Sequence, residues 1–323
     1  MATAAGTRAA SWMMGGGAAA SALGAILLLL ASLNSLFGVA ALGTDSFREL
    51  GMMAGGGLVV LGALVAMLGM TMYVFTPAFS RDGSALRDYG SHRVVLACTA
   101  LSVLLGNLLA ALYFFVLPRF LPEPMVQEYV TGRILSPEGI AVSAVSLDVA
   151  LLAVVYLRIV RPGAISWQTM GLGVRGLPGR LLLGFLYGLL LFGVSSLIQL
   201  LLDQLGVHQT QGALFQSVAR ARPEQFALVL LAGAVVAPIV EEIYFRGYVF
   251  RAYLDQKGIW QALLFSSGLF ALVHLDLAAL IPIFVVGVML SLLYYRTHSI
   301  IPGIAAHAVN NAIAFLLLYL GLS

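Results

Sequence analysis

Long apolar runs constrain this chain more than any other feature of its sequence. Nine stretches are each long enough, at about 20 residues, to cross the hydrocarbon core of a bilayer as a helix. They fall near residues 15–43, 51–77, 94–118, 139–160, 181–202, 225–253, 258–275, 277–296 and 300–321. Backbone polar groups inside a bilayer must be satisfied within the protein, and a helix satisfies its own. The sequence therefore predicts an all-α fold, a polytopic transmembrane helix bundle of about nine helices.

The overall composition supports this prediction and excludes several other classes. The chain is 61% hydrophobic and only 10% charged, a balance typical of membrane proteins rather than soluble domains. Its single cysteine, Cys98, excludes an internal disulfide and a metal site built from cysteines. The basic residues lie singly in short loops with no basic and aromatic face, so nucleic acid is not predicted as a partner.

The basic residues are distributed unevenly between alternate loops. With nine spans, twelve of the 17 Lys and Arg residues fall on the side of the N-terminus. Cytoplasmic loops carry the excess of basic residues, so we predict a cytoplasmic N-terminus and an external C-terminus. The bias persists if Arg246 is buried rather than in a loop. The division between the seventh and eighth spans rests on Asp276 and Pro282 alone.

A Gly- and Pro-rich segment at residues 161–180 is predicted to be a cytoplasmic linker. It separates a four-helix N-terminal region, residues 1–160, from a five-helix region, residues 181–323, which carries the polar motifs described next. No role is assigned to the N-terminal region. Asp148 lies midway along its last span. An interhelical hydrogen bond is the favoured interpretation of this residue, and a proton relay is the alternative.

The sixth span contains a cluster of ionisable residues in its apolar run, Glu241, Glu242 and Arg246. Inserting each into a bilayer costs about 2.5–3.5 kcal/mol, so such residues are candidates for function. Glu242 and Arg246 are four residues apart and can pair on one helix face. Glu241 points about 100° away from that face. Pro238 precedes the glutamates and predicts a bend in the helix.

Two later spans carry polar residues at a similar depth. His274 follows Phe270 by one helical turn, and His307 and Asn311 share a helix face. With a rise of about 1.5 Å per residue, these groups and Glu241 all fall within the hydrocarbon core. Three helices therefore offer a carboxylate, two imidazoles and an amide at overlapping depths. This convergence predicts a single site.

The ordered set of motifs resembles the CPBP family, the CaaX-protease and bacteriocin-processing membrane proteins also called Abi proteins. The family pattern is Glu-Glu-x-x-x-Arg, then Phe-x-x-x-His, then His-x-x-x-Asn, which stands here at Glu241 to Arg246, Phe270 to His274, and His307 to Asn311. The resemblance covers about residues 180–320, and this part of the chain is similar to the type II CaaX prenyl endopeptidases. It implies a CPBP-like catalytic membrane domain at residues 181–323. It also implies a glutamate-dependent intramembrane endopeptidase acting on a membrane-associated protein or peptide.

The resemblance also implies roles for six residues: Glu241, Glu242, Arg246, His274, His307 and Asn311. Glu241 with His274 would activate water, His307 with Asn311 would stabilise an oxyanion, and Arg246 would hold Glu242. No cofactor is favoured. Zinc is the alternative, because one glutamate and two histidines are a known catalytic zinc set. Its ligands would be Glu241, His274 and His307.

Two other functions compete with the peptidase hypothesis. One is a non-catalytic bacteriocin-immunity or scaffold membrane protein, and the other is a transporter. A transporter predicts paired broken helices or inverted repeats, and the sequence shows neither. Abundant Ala, Gly and Leu with a single Lys are typical of a high-GC bacterial gene. We therefore expect the bacterial inner (cytoplasmic) membrane as the location, while the substrate and oligomeric state are not indicated.

Overall fold

The computed structural model describes residues 9–17, 19–20, 23, 45–75, 91–116, 136–207 and 212–322. All regular secondary structure within these residues is helical, which confirms the predicted all-α class. Residue contacts divide the chain into two compact units, residues 1–86 and residues 87–323. The polar motifs of the sixth to ninth predicted spans all lie in the second unit.

Among its described residues, the first unit contains one long helix, α1 (Asp45–Phe75), which corresponds to the second predicted span. Glycines bring residues 9–17 close to this helix. A Cβ added at Gly17 would lie 2.4 Å from the Ala66 nitrogen, and one added at Gly69 would lie 2.8 Å from the Ala10 oxygen. The first predicted span, residues 15–43, lies almost entirely outside the described residues.

The described part of the second unit contains eight helices. They are α2 (His92–Ala111), α3 (Pro137–Val155), α4 (Leu177–Gln204), α5 (Gly212–Ala219), α6 (Pro223–Lys257), α7 (Ile259–Val273), α8 (Leu280–Thr297) and α9 (Ile301–Tyr319). Wider π-helical turns extend α2 over Leu112–Val116 and α3 over Tyr156–Val160. Six of these helices, α2, α3, α4, α6, α8 and α9, are long and apolar enough to span a membrane. The predicted membrane-spanning bundle is therefore confirmed, while its orientation stays a prediction.

Local signals set the boundaries between the late helices. Gly258 separates α6 from α7 with φ of +84°, a conformation that favours glycine. In the turn between α7 and α8, Asp276 Oδ1 accepts hydrogen bonds from the N–H groups of Ala278 at 3.0 Å and Ala279 at 3.3 Å. Such side-chain bonds are typical of turns and helix starts. The predicted division near Asp276 is confirmed.

The predicted linker is fixed to the C-terminal helices rather than extended away from them. Turns occupy residues 161–176, after which α4 begins. Ser299 Oγ donates to the Gly171 oxygen at 2.9 Å. Gly171 has φ of +88°, and a Cβ there would lie 2.6 Å from the His298 oxygen. The functional division at this segment stays a prediction, but α2 and α3 belong by their contacts to the same unit as the later helices.

Two buried arginines change the count of basic residues in loops. Arg246 and Arg158, which both count among the twelve basic residues on the side of the N-terminus, are fully buried. Arg158 lies in the last turn of the extended α3. Removing these two from the twelve leaves ten on the predicted cytoplasmic side against five outside. The predicted orientation is unaffected by this correction.

A pair of glycines on α4 determines how closely α9 approaches. Gly184 and Gly188 are one turn apart. A Cβ at the first would lie 2.7 Å from the Pro302 oxygen, and one at the second 2.7 Å from the Ala306 oxygen. Small residues spaced in this way allow the backbones of membrane helices to pack closely. The contact sets the position of α9, which carries His307.

Candidate active site in the membrane helices

Helix α6 departs from regular α geometry around its ionisable residues. π-helical turns cover Ala232–Val236 and Glu242–Phe250, on either side of a short α-helical segment, Ala237–Glu241. Such turns are rare within long helices and are frequently found at functional sites. The helix continues through Pro238, and the wider turns lie where the sequence predicted a bend. The two adjacent glutamates lie at the junction between the α-helical and π-helical geometries.

Glu242 is the centre of a buried hydrogen-bonded group. Its Oε1 accepts a hydrogen bond from Arg246 Nη1 at 2.8 Å, so the predicted pair is present. The same oxygen lies 3.3 Å from His307 Nδ1. All three side chains are at most 4% exposed. On the opposite side, a Cβ added at Gly303 of α9 would lie 2.7 Å from Glu242 Oε2. Only a glycine leaves room for this carboxylate beside α9.

Arg246 has two further partners on neighbouring helices. Its Nη2 donates to the Gly287 oxygen of α8 at 3.0 Å. Its guanidinium carbon lies 4.5 Å from the centre of the Phe270 ring, within the range of cation–π attraction. A buried charge is tolerated only when it is paired and hydrogen-bonded. The carboxylate and the carbonyl bond Nη1 and Nη2, and the aromatic face lies against the guanidinium, while Nε has no hydrogen-bond partner among the described residues.

Glu241 is buried, at 9% exposure, and its carboxylate makes no hydrogen bond to any other described residue. Its closest ionisable contact is His307, whose Nε2 lies 3.7 Å from Glu241 Oε2. His307 therefore lies between both glutamates, with Nδ1 toward Glu242 and Nε2 toward Glu241. The short contact to Glu241 comes from His307, although the family resemblance implied His274 as the partner of Glu241.

His274 lies at the C-terminal end of α7 and is half-buried. Its Nδ1 is 2.7 Å from the Phe270 oxygen. A carbonyl only accepts hydrogen bonds, so Nδ1 carries the proton and a neutral ring keeps a lone pair on Nε2. The Phe270 ring lies edge-to-face against both imidazoles, 4.8 Å from His274 and 5.7 Å from His307 between ring centres. This phenylalanine is the shared wall of the two histidines.

Asn311 is positioned by a backbone carbonyl that Pro238 leaves without a partner. The Ala237 N–H bonds five residues back along α6. Continuing that pattern would require an N–H from Pro238 to the Gly233 oxygen, and proline has none. Asn311 Nδ2 supplies this hydrogen bond at 2.8 Å, while Asn310 Nδ2 donates to Asn311 Oδ1 at 2.9 Å. One Nδ2 hydrogen of Asn311 remains for a substrate oxygen.

Several residues that shape the site were not found by sequence reasoning. Gly287 of α8 and Gly303 of α9 contact the charged groups of α6, and Asn310 bonds to Asn311 beside it on α9; no local pattern marks these three residues. The sequence marked Asp148 as a polar residue within a span but indicated no residue that contacts it. The structure places it near Glu241: it is 2% exposed, interacts electrostatically with Glu241, and has no hydrogen-bond partner for Oδ2.

Comparisons with known proteins converge on the same part of the chain. Residues 223–313 match the family described as "Type II CAAX prenyl endopeptidase Rce1-like". Residues 223–313 belong to the CPBP, or CaaX protease, family. The chain is also 31% identical over 128 residues to a protein of Bacillus subtilis (strain 168) described as "Putative membrane peptidase YdiL". This alignment covers 40% of the chain and 51% of the relative, so the chain spans about half the length of this relative. No solved structure matched the chain significantly.

All six predicted site residues lie within the CaaX protease segment. The structure brings Glu241, Glu242, Arg246 and His307 into one contact group, and Phe270 connects this group to His274. Asn311 lies one turn beyond His307 on α9. Asp148 lies outside the matched segment, in the N-terminal region to which no role was assigned.

The alternative zinc ligands, Glu241, His274 and His307, are not arranged around a common point. Across the described ranges, no three His, Cys, Asp or Glu side chains come within reach of one metal ion. Nδ1 of His274 bonds to a carbonyl and Nδ1 of His307 faces Glu242, which leaves only the two Nε2 atoms as possible histidine ligands, and these do not meet Glu241 around one point. As arranged here, Glu241 and the two histidines do not fit a zinc site, and no step described below passes through a metal.

Proposed function

We propose that this protein is an intramembrane endopeptidase that hydrolyses a peptide bond of a membrane-associated protein or peptide. The observation that carries the proposal is the arrangement around Glu241. This buried carboxylate has no hydrogen bond and faces Nε2 of the His307 imidazole. Nδ1 of the same ring contacts Glu242, which is paired with Arg246. A general base must be close to its water and not saturated by protein donors. The matched family and the curated relative are both described as peptidases.

In the proposed reaction, Glu241 takes a proton from water while the water oxygen bonds to the carbonyl carbon of the scissile peptide. The carbonyl oxygen becomes an oxyanion, which Asn311 Nδ2–H and His307 Nε2–H stabilise. Glu241 then passes its proton to the amide nitrogen as the carbon–nitrogen bond breaks. The products are a carboxylic acid and an amine. His274, with its lone pair on Nε2, orients the water from the other side of Phe270.

Glu242 and Arg246 act indirectly in this scheme. With both ring nitrogens protonated, His307 donates Nδ1–H to Glu242 and directs Nε2–H toward the oxyanion. Arg246 pairs with the Glu242 carboxylate and orients it. Because these groups are removed from water, their electrostatic effect on the transition state is larger than at a surface. Both residues are thus positioning residues for His307.

The test is a comparison of the wild type with Glu241→Gln in proteoliposomes. Bacterial membrane proteins are added as the substrate pool, and new protein termini are identified by mass spectrometry. We expect new termini with the wild type and none with Glu241→Gln, which should fold because Glu241 makes no hydrogen bond. Wild-type turnover by Glu241→Gln would contradict the proposal.

The same vesicles distinguish the competing functions. Solute or ion flux without cleavage would favour the transporter alternative. Intact substrates and no flux, from protein that is folded and inserted, would favour the non-catalytic immunity or scaffold alternative. The sequences around any new termini would define the substrate class. Prenylated CAAX proteins, peptides and lipoprotein-like precursors are the classes to compare.

A further inference from the structure

Asp148 is a buried ionisable group that the proposed reaction does not yet use. It lies about 17 Å along α3 from the helix start, at a rise of ~1.5 Å per residue, and so near the middle of the bilayer. Its side chain is 2% exposed, and Oδ2 has no hydrogen-bond partner among the described residues. An intramembrane carboxyl group is energetically unfavourable and marks a functional site by default.

The packing of α3 fixes both the depth and the rotation of Asp148. A Cβ added at Gly106 of α2 would lie 2.7 Å from the Leu147 Cα, so α2 and α3 are in backbone contact at Leu147. The next residue points about 100° away from that contact. Helix α3 also packs against the π-helical and α-helical segments of α6. Asp148 interacts there with the charge of Glu241.

Two buried carboxyl groups without protein hydrogen bonds therefore belong to one site. The nearest polar contact of the Glu241 carboxylate among the described residues is His307 Nε2 at 3.7 Å, which is longer than a hydrogen bond, and Oδ2 of Asp148 has no hydrogen-bond partner. Buried carboxyl oxygens in native proteins are almost always bonded to protein or to ordered water. A water molecule that bridges the two groups would satisfy both. His307 faces Glu241 from α9, and Asp148 lies on α3, which packs against the segment of α6 that contains Glu241.

We propose that Asp148 is a positioning residue that holds, through Oδ2, the water molecule that Glu241 activates. This inference rests on the proposed peptidase function. It gives the N-terminal region a part in the site, although that region lies outside the segment that matches the family.

A purely structural role predicts a different response to mutation. A structural carboxyl group joins helices through a hydrogen bond, and Asp148 makes none to the described residues. Removing a buried polar group that has no partner is neutral or stabilising. Asp148→Leu should therefore unfold at the same temperature as the wild type or a higher one. Its catalytic constant should nevertheless fall.

The kinetic experiment measures kcat and KM in proteoliposomes with a substrate identified by the terminal analysis above. We expect Asp148→Leu to lower kcat by about 10-fold to 100-fold with unchanged KM, because a mispositioned reactant slows the chemical step. Asp148→Asn keeps a water-binding oxygen and should recover part of this loss. The matched control is Asn107→Leu on α2, since Asn107 is exposed and bonds only to the Val103 oxygen of its own helix. This control should leave both constants unchanged.

A second measurement detects the water without relying on activity. Radiolytic labelling with X-rays oxidises buried side chains that lie next to bound water. We expect labelled His307 in the wild type and in Asn107→Leu, and much weaker labelling of His307 in Asp148→Leu. If the leucine variant does not fold, Asp148→Val takes its place in both experiments.

Unchanged labelling of His307, or a kcat within about twofold of the wild type, overturns the role of Asp148. That result leaves the peptidase proposal intact if Glu241→Gln is inactive. If the wild type cleaves nothing, the proposed function fails. The labelling then still decides whether Asp148 holds a water molecule.

Discussion

Replacing Glu242 with glutamine should destabilise this protein far more than the same replacement at the neighbouring Glu241. Glu242 and Arg246 are both fully buried, and their side chains are 2.8 Å apart. The amide removes the negative charge and leaves the guanidinium with the Gly287 carbonyl and the Phe270 ring. Removing one partner of a buried ion pair costs about 3–5 kcal/mol. The contact with His307 uses the same oxygen, so its loss is not an additive term.

The free energy of unfolding is measured by denaturant titration in detergent micelles, with turnover measured in parallel. We expect Glu242→Gln to lose about 3–5 kcal/mol of stability and most of its activity, because His307 is no longer held. The matched control is the neighbouring Glu241→Gln, which breaks no hydrogen bond and should lose less than about 1 kcal/mol. The double variant Glu242→Gln/Arg246→Met removes both charges and should regain most of the lost stability.

Two results would refute this reasoning. Equal stability of Glu241→Gln and Glu242→Gln would mean that the pair is not a buried, uniquely matched ion pair. A double variant less stable than Glu242→Gln alone would mean that the unpaired guanidinium is not the source of the loss. Either result would also remove the argument that Glu242 and Arg246 fix His307.

Four further outcomes are expected. Gly188→Ala should weaken the α4–α9 contact by about 1–3 kcal/mol and reduce turnover. Gly193→Ala should change neither stability nor turnover, since a Cβ there meets nothing within 4 Å. Equal effects of the two substitutions would contradict the packing argument. Asn311→Ala should lower kcat/KM by about 2.7–4 kcal/mol of transition-state stabilisation, and unchanged kinetics would exclude it as an oxyanion donor. A reporter after Ser323 should appear outside and one near Gly173 inside, and a cytoplasmic C-terminus would contradict the count of spans. Chelators should leave turnover unchanged, and stoichiometric zinc that is lost with activity when a candidate ligand histidine is replaced would show a metalloprotease.

The amino-acid sequence was sufficient for those features that depend on a single segment. The length of each apolar run predicts a span, because the bilayer thickness sets how many residues a helix needs. Six of the seven spans predicted after residue 91 agree with helices long enough to cross a membrane. The seventh, residues 258–275, is the 15-residue helix α7, which is shorter than a full span. The pairing of Glu242 with Arg246 was also predictable, since residues four apart meet on any helix. The ordered motifs likewise indicated the family, because they can be read along the chain.

The tertiary structure alone decided which groups from different helices meet. The position of His307 between both glutamates depends on how α9 is rotated against α6, and the glycine contacts at Gly184 and Gly188 set its approach. The bond from Asn311 to the Gly233 carbonyl follows from a π-helical turn that proline interrupts. Asp148 gains its neighbour Glu241 only through the packing of α3 on α6. Such contacts form between backbones that are far apart in sequence, and the periodicity of a single helix specifies neither its rotation nor its neighbour.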